Sequence, residues 1–179
     1  KLTSPGPIIF KQERIGHNSK PFMMYKFRSM KVQDPGEEKS EWTTKDDPRK
    51  TRVGELIRKT SIDELPQIWD IFIGNMSIIG PRPALWNQDD LIAERDKYGA
   101  NDVKPGLTGW AQINGRDELE IDVKAKLDGE YVEKLKKGGF TGFAMDCKCF
   151  FGTITSVLKH DGVVEGGTGA MKEANKEEK

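Results

Sequence analysis

The stretch around Asp63 and Glu64 limits the local fold because two adjacent acids are followed closely by Pro66. Proline lacks a backbone N–H and is therefore tolerated only in the first turn of a helix. Two starts are possible for the helix that follows. Ser61 with Glu64 matches a capping box, whereas an N-cap at Asp63 makes Pro66 the third helical residue. The proline favours the start at Asp63, with the helix ending at Gly74.

This helix has an apolar stripe whose spacing predicts one buried face, formed by Leu65, Ile68, Trp69 and Phe72. Residues 51–59 are predicted to form a shorter amphipathic helix before it. The two acids therefore lie near a helix start, where they have two interpretations. They stabilise the positive end of the helix dipole, or they act on a phosphate held by nearby cations.

The rest of the pattern predicts an α+β fold: a mostly helical single domain with one β-hairpin near the N-terminus. The hairpin strands are residues 8–15 and 21–28, joined by turn-forming residues. Further helices are predicted at 86–98, 118–137 (interrupted by Gly129) and 143–160, with loops at 31–50 and 104–110. The domain is expected to span residues 1–164, followed by a polar, disordered tail at 165–179.

The composition excludes several classes of protein. Charge is balanced, with 29 basic and 29 acidic residues, so no nucleic-acid partner is expected. Cys147 and Cys149, at C-x-C spacing, would line up poorly for a mutual bridge, and no second Cys/His cluster exists to make a zinc site. A reducing compartment fits best. The apolar runs are shorter than the roughly 18–20 residues that span a bilayer. Since the chain starts at Lys1 without methionine, we expect that an N-terminal segment was removed.

Cationic side chains surround the acidic pair in the sequence. Arg82 lies between two prolines, and this rigid support suits phosphate recognition. The alternative is a structural turn in which Arg82 pairs with a carboxylate. Lys26, on the second predicted strand, is either a phosphate ligand or an edge-strand lysine that discourages sheet pairing. Arg58 and Lys59 lie just upstream of the acidic pair.

The acidic pair suits phosphate chemistry. Backbone donors at an N-cap favour the ionised form of Asp63, which needs no general base to attack phosphorus and form an acyl-phosphate. Glu64 would help Asp63 to hold a divalent cation, because Mg²⁺ commonly joins one or two carboxylates to substrate phosphates. The sequence lacks the glycine-rich nucleotide loops, and His17 and His160 are too isolated for a metal cluster.

The motifs together resemble the bacterial sugar transferase family, the monotopic polyprenyl-phosphate phosphoglycosyl transferases. The resemblance covers residues 1–164. Five segments carry it in the family's order: Lys1 to Gly16, Tyr25 to Met30, Ser61 to Gln67, Gly80 to Pro83, and Lys104 to Arg116. Any one of them is weak, whereas five in order are specific.

The resemblance implies transfer of a sugar 1-phosphate from a UDP-sugar to polyprenyl (undecaprenyl) phosphate, with release of UMP. It implies a ping-pong reaction with Mg²⁺, the first membrane step of surface polysaccharide assembly. Asp63 would be the nucleophile, and Glu64 would assist at the metal and phosphates. The substrate-binding residues carried over by motif are Lys26, Arg58, Arg82, Gln112, Asn114 and Arg116.

The family also implies a re-entrant membrane helix that ends at the Thr-Ser-Pro-Gly-Pro segment, where this chain begins. The expected location is the cytoplasmic face of a bacterial membrane, reached through that helix and interfacial side chains. Two rivals belong to other classes. One is a soluble Mg²⁺-dependent nucleotide-sugar hydrolase, and the other is a non-catalytic, membrane-peripheral scaffold.

Overall fold

The computed structural model describes residues 5–32, 49–115 and 119–159. Three predictions lie outside these residues: the role of Arg116, most of the polar loop at 31–50, and the tail at 165–179. The described residues combine helices with small sheets, which confirms the mixed α+β class. Among their helices, none has the length and apolarity needed to cross a bilayer.

The predicted hairpin is confirmed. Strand β1 (Ile9–Ile15) pairs antiparallel with β2 (Pro21–Phe27), and the register runs from Ile9 opposite Phe27 to Ile15 opposite Pro21. The turn between them closes where the Gly16 N–H donates to the Lys20 carbonyl at 2.8 Å.

Three further strands were not predicted. The second edge of β1 pairs with β4 (Ala84–Leu85), so β2 and β4 flank β1 in a three-stranded sheet. A separate parallel pair joins β3 (Ser77–Ile79) to β5 (Gly106–Thr108). The predicted loop at 104–110 therefore contains a strand. These strands are two or three residues long, too short for alternation to be visible in sequence.

The predicted helix start at Asp63 is wrong. Helix α1 (Arg52–Lys59) forms as expected, with its first turn capped by Thr51. Ser61 then adopts a left-handed conformation with φ of 55°, makes no capping bond, and leads into a 3-10 turn over Ile62–Glu64. Helix α2 (Gln67–Phe72) begins only after Pro66. Asp63 therefore lies inside the turn and is not a helix cap.

The predicted buried face of α2 is also wrong. The four apolar residues predicted to form it are between 49% and 79% exposed, and Leu65 lies just before the helix. We call these four residues the outer face of α2: Leu65, Ile68, Trp69 and Phe72. Polar residues occupy the inner side instead, with Gln67 and Asp70 fully buried. The Tyr25 N–H donates to Asp70 Oδ2 at 3.2 Å, so the polar side of the helix packs on β2. An apolar surface is left facing outward.

The remaining helices are α3 (Asp89–Asp96), α4 (Trp110–Ile113), α5 (Ile121–Lys137) and α6 (Gly139–Lys159). The predicted interruption of α5 at Gly129 is wrong because the helix continues through it. A Cβ atom at Gly129 would lie 2.6 Å from Tyr98 Cβ, so the glycine permits close packing.

The main core lies where α5 and α6 meet β3. Its buried members are Ile79, Ala100, Tyr131, Val132 and Cys149. The Tyr131 hydroxyl donates to Asp146 at 2.9 Å and links α5 to α6. This core supports the β3–β5 pair. The Gly80–Pro83 motif follows β3 directly, and β5 lies within the motif that starts at Lys104.

Two glycine-containing motifs interlock beside this core. A Cβ atom at Gly106 would lie 2.1 Å from the Gly80 nitrogen, and one at Gly109 would lie 2.1 Å from the Gly80 oxygen. The Gly80 N–H donates to the Thr108 carbonyl at 2.8 Å. Backbone thus packs on backbone, which fixes the chain directly before Arg82.

Candidate active site

Glu64 gathers two cations at one oxygen. Its Oε1 accepts from Arg82 Nη2 at 2.6 Å and from Lys26 Nζ at 3.1 Å. Lys26 comes from β2, Glu64 from the 3-10 turn, and Arg82 from the segment between β3 and β4. The structure therefore brings together three of the predicted residues from three distant parts of the chain.

These contacts keep Glu64 ionised. Burial alone would raise the pKa of the Glu64 carboxyl, but Arg82 and Lys26 together hold it well below its usual range. Burial also lowers the pKa of the Lys26 ammonium, and the Glu64 carboxylate offsets only part of this effect. Lys26 lies on the edge strand β2, but its ammonium is paired within the site.

Asp63 lies beside this cluster in a different environment. It is 7% exposed, and its carboxylate makes no hydrogen bond to the described residues. Burial raises its pKa, and the Glu64 charge adds to this, whereas the Lys26, Arg58 and Arg82 charges oppose it. The expected stabilisation of ionised Asp63 by backbone donors is therefore wrong, because Asp63 does not cap a helix. The charges of Lys26, Arg58 and Arg82 favour the ionised form instead.

Arg58 enters the site through its charge. It lies in the last turn of α1, and its guanidinium lowers the pKa of Asp63. The packing of α1 that places it depends on Gly54, where a Cβ atom would lie 1.7 Å from the Ser29 carbonyl oxygen. Arg58 thus acts on the same carboxylate as Lys26 and Arg82.

Gln112 and Asn114 lie on α4 and at its end, and their contacts are local. Gln112 is 6% exposed and donates to the Leu107 carbonyl at 3.1 Å. Asn114 donates to the Trp110 carbonyl at 2.8 Å. Within the described residues, neither side chain hydrogen-bonds to Lys26, Glu64 or Arg82. Their predicted contact with a nucleotide remains a prediction.

A buried ion pair next to this site was not predicted. Arg95 on α3 lies 2.6 Å from Asp128 on α5, and their side chains are 4% and 2% exposed. Arg95 lies on the same face of α3 as buried Leu91. Asp128 lies on the same face of α5 as buried Ala125 and Val132. Charged residues on an otherwise buried face are the sequence signal that could have identified the pair.

The carboxylates of Asp63 and Glu64 fit a metal ion that also binds substrate phosphates. They do not fit a metal site whose ligands all come from the protein. In the described parts of the chain, no three His, Cys, Asp or Glu side chains group together as a metal site. Glu64 Oε1 is engaged with Lys26 and Arg82, whereas the Asp63 carboxylate is available. One or two carboxylates supplemented by substrate phosphates are the usual ligands of Mg²⁺.

Comparison with known proteins agrees with the motif resemblance. The chain matches the bacterial sugar transferase family over residues 1–160. It is 40% identical over 163 residues to the uncharacterized sugar transferase EpsL of Bacillus subtilis (strain 168), covering 91% of this chain and 76% of the relative.

Two other relatives have names that state a substrate or sugar. The chain is 43% identical over 147 residues to the UDP-glucose:undecaprenyl-phosphate glucose-1-phosphate transferase of Escherichia coli (strain K12), covering 75% of this chain and 30% of the relative. It is 40% identical over 146 residues to the galactosyl transferase CpsE of Streptococcus agalactiae, covering 72% of this chain and 31% of the relative. The family match spans all of the described residues, and this chain belongs to the bacterial sugar transferase family.

Proposed function

We propose that this protein transfers a sugar 1-phosphate from a UDP-sugar to polyprenyl phosphate through a covalent phosphosugar on Asp63. One observation carries the assignment of the nucleophile. Glu64 Oε1 is held by two cations, whereas the neighbouring Asp63 carboxylate makes no hydrogen bond to the described residues. The two acids thus have different tasks: Glu64 organises the cations, and Asp63 is available to react.

In the first step, an Asp63 oxygen attacks the phosphorus that bears the sugar. A new P–O bond forms to Asp63 while the bond to the bridging oxygen of the diphosphate breaks, and UMP leaves with that oxygen and its electron pair. In the second step, a phosphate oxygen of the polyprenyl phosphate attacks the same phosphorus. The Asp63–phosphorus bond breaks, which regenerates the carboxylate and yields the polyprenyl diphosphate sugar.

Three cations support both steps electrostatically. Lys26, Arg58 and Arg82 each favour the ionised form of Asp63, which is the form that attacks phosphorus. The same cations suit the phosphate oxygens on which negative charge develops during transfer. The rigid backbone of Arg82, between two prolines, suits bidentate contact with a phosphate.

Mg²⁺ is proposed as the cofactor, held by Asp63 and Glu64 together with substrate phosphates. Bound there, the ion would neutralise phosphate charge. The assignment depends on the adjacent carboxylates, since no larger group of metal ligands is found among the described residues. Such sharing fits Mg²⁺, which rarely takes all of its ligands from protein.

The outer face of α2 is proposed to contact the membrane that carries the lipid substrate. Trp69 is 58% and Phe72 79% exposed, and their rings stack at a centroid distance of 5.5 Å. Exposed aromatic side chains of this kind favour the interfacial region of a bilayer. Because α2 starts three residues after Glu64, this face lies near the reacting groups in sequence.

A donor screen tests the proposal against both rivals. The protein is incubated with a panel of UDP-sugars and Mg²⁺ in detergent, with and without undecaprenyl phosphate, and UMP is measured. The proposal predicts multiple turnovers that depend on the lipid and at most one equivalent of UMP without it. A hydrolase would release UMP at a rate that the lipid does not raise. A scaffold would show no turnover with any donor.

A further inference from the structure

The Pro-Arg-Pro segment, residues 81–83, is oriented through its carbonyl groups. Proline has no N–H to donate, so both proline residues can be anchored by hydrogen bonds only at their oxygens. Each of the three consecutive carbonyls accepts from a different element. The donors are the Gly106 N–H to Pro81 at 2.9 Å, Arg95 Nη1 to Arg82 at 2.9 Å, and Arg14 Nη1 to Pro83 at 3.2 Å.

Arg95 is the donor that contacts Arg82 itself. It is 3% exposed, and its Nε and Nη2 atoms both lie against Asp128 Oδ2, at 2.8 and 2.6 Å. Its remaining Nη1 donates to the Arg82 carbonyl. The guanidinium thus fixes the backbone of Arg82 relative to α5, while the Arg82 side chain reaches Glu64.

Stability alone is a weak explanation for this arrangement. Removing two charges from water opposes the attraction between them, and hydrophobic residues of similar volume often serve a core equally well. A role that needs three directed donors explains the choice of arginine better. Lysine carries its charge on a single nitrogen and cannot reproduce the planar fork.

We propose that Arg95, held by Asp128, is a positioning residue that sets the Arg82 guanidinium for phosphate binding and transfer. Arg95 is buried and acts through the Arg82 backbone, so it does not touch the substrate. The proposal rests on the proposed function for its effect on catalysis. Its structural part, the dependence of the Arg82–Glu64 contact on Arg95, stands independently.

A double-mutant cycle in the full chain tests the catalytic part. Arg95→Lys and Arg82→Lys are made singly and together, and kcat and KM for phosphosugar transfer are measured. A displacement of a catalytic group by about 1 Å can lower the rate roughly 100-fold. We expect Arg95→Lys to lower kcat at least 10-fold in the wild type and less than about 2-fold once Arg82 is replaced.

Asp128→Asn provides a milder variant if Arg95→Lys fails to fold. It preserves side-chain shape and loosens Arg95, and its smaller loss of kcat should also vanish in the Arg82→Lys background. Thr153→Val is the matched structural control, since it removes a core hydrogen bond to Thr108 without touching residues 81–83. Its effect on kcat should be the same in both backgrounds. If Arg95→Lys lowers kcat by the same factor in the wild-type and Arg82→Lys backgrounds, the proposal is overturned.

The unfolding equilibrium separates this inference from the proposed function. Glu64→Gln weakens the contact with Arg82, so its loss of stability should shrink by at least half in the Arg95→Lys background. If Glu64→Gln lowers the free energy of unfolding equally in the wild-type and Arg95→Lys backgrounds, the positioning role is overturned. If the wild type transfers no phosphosugar, the proposed function fails, and this second cycle still decides whether Arg95 positions Arg82.

Discussion

The Arg82 guanidinium donates to Glu64 Oε1 at 2.6 Å across 18 positions of sequence. Lys26 reaches the same oxygen at 3.1 Å. The interpretation in which Arg82 pairs with a carboxylate is therefore confirmed. That carboxylate lies beside the proposed nucleophile, and phosphate recognition by Arg82 stays a prediction. Glu64 holds two cations at the place where phosphate oxygens are proposed to bind.

Glu64→Gln should destabilise the protein by about 2 kcal/mol at pH 7, because Lys26 and Arg82 lose their partner. The folded-state pKa of Glu64 lies below its usual value of 4.5. Its stabilising contribution is therefore fully present above pH 4.5 and is lost as the pH falls through the lower folded value. Urea unfolding from pH 7 down to pH 3 measures the trend.

Glu55→Gln is the matched control for this prediction. Glu55 pairs with Lys59 on the exposed side of α1, and solvent screens such pairs. The unfolding midpoint should stay unchanged in this variant. The assigned ion pairs would be contradicted if the difference in unfolding free energy between the wild type and Glu64→Gln grew as the pH falls.

Asp63→Asn should have the opposite effect on stability. Burial raises the pKa of Asp63 above its usual 3.8, so ionised Asp63 disfavours the folded state at neutral pH. Replacement is expected to stabilise the protein by about 1 kcal/mol, as is common where a functional residue is removed. The gain should disappear below pH 3.8, where aspartate is protonated in both states. A loss of stability at pH 7 would indicate that the three cations outweigh the burial.

Gly106→Ala should destabilise the protein by more than 3 kcal/mol, since the new Cβ would lie 2.1 Å from the Gly80 backbone nitrogen. Gly142→Ala is the matched control within α6, because its Cβ would meet its nearest neighbours only at 3.6 Å. There the better helix propensity of alanine should add about 0.5–1 kcal/mol. Thermal unfolding compares the two. Equal changes in stability for Gly106→Ala and Gly142→Ala would contradict the close backbone packing of Gly106 on Gly80.

Trp69→Ser should weaken binding to phospholipid vesicles about 10-fold, because burying one large apolar side chain contributes roughly 1.5–3 kcal/mol. Folding stability should be unchanged, since the side chain is largely exposed. Trp86→Ser is the matched control, a tryptophan 59% exposed on another part of the surface. Vesicle co-sedimentation measures both variants. Equal losses for the two would argue against α2 as the membrane contact.

The sequence predicted those features that depend on local periodicity and specific motifs. The hairpin and α1 appeared close to the expected limits because alternation and helical spacing are properties of a short segment. The residues Lys26, Glu64 and Arg82 were predicted from the motif resemblance, and the structure brings them into contact. Membership of the family was predicted in the same way and is confirmed.

Other features depend on tertiary contacts that no local pattern specifies. The apolar stripe of α2 predicted a buried face, yet Asp70 turns the polar side inward through its contact with the Tyr25 N–H. Gly129 was expected to break a helix, but its role is set by Tyr98 in the turn after α3. The contact between Arg95 and the Arg82 carbonyl joins a side chain to a backbone atom. Because every residue has a carbonyl, the spacing of residues in the sequence does not predict such a contact.

Mass spectrometry of the peptide containing residues 61–67 tests the central claim most directly. The protein is incubated with the UDP-sugar selected by the donor screen, with Mg²⁺ and without lipid, and is then digested. The account predicts a hydrolysis-sensitive phosphosugar on Asp63 that polyprenyl phosphate discharges and that is absent from Asp63→Asn. Turnover that survives in Asp63→Asn, or an adduct carried by Glu64, would contradict it.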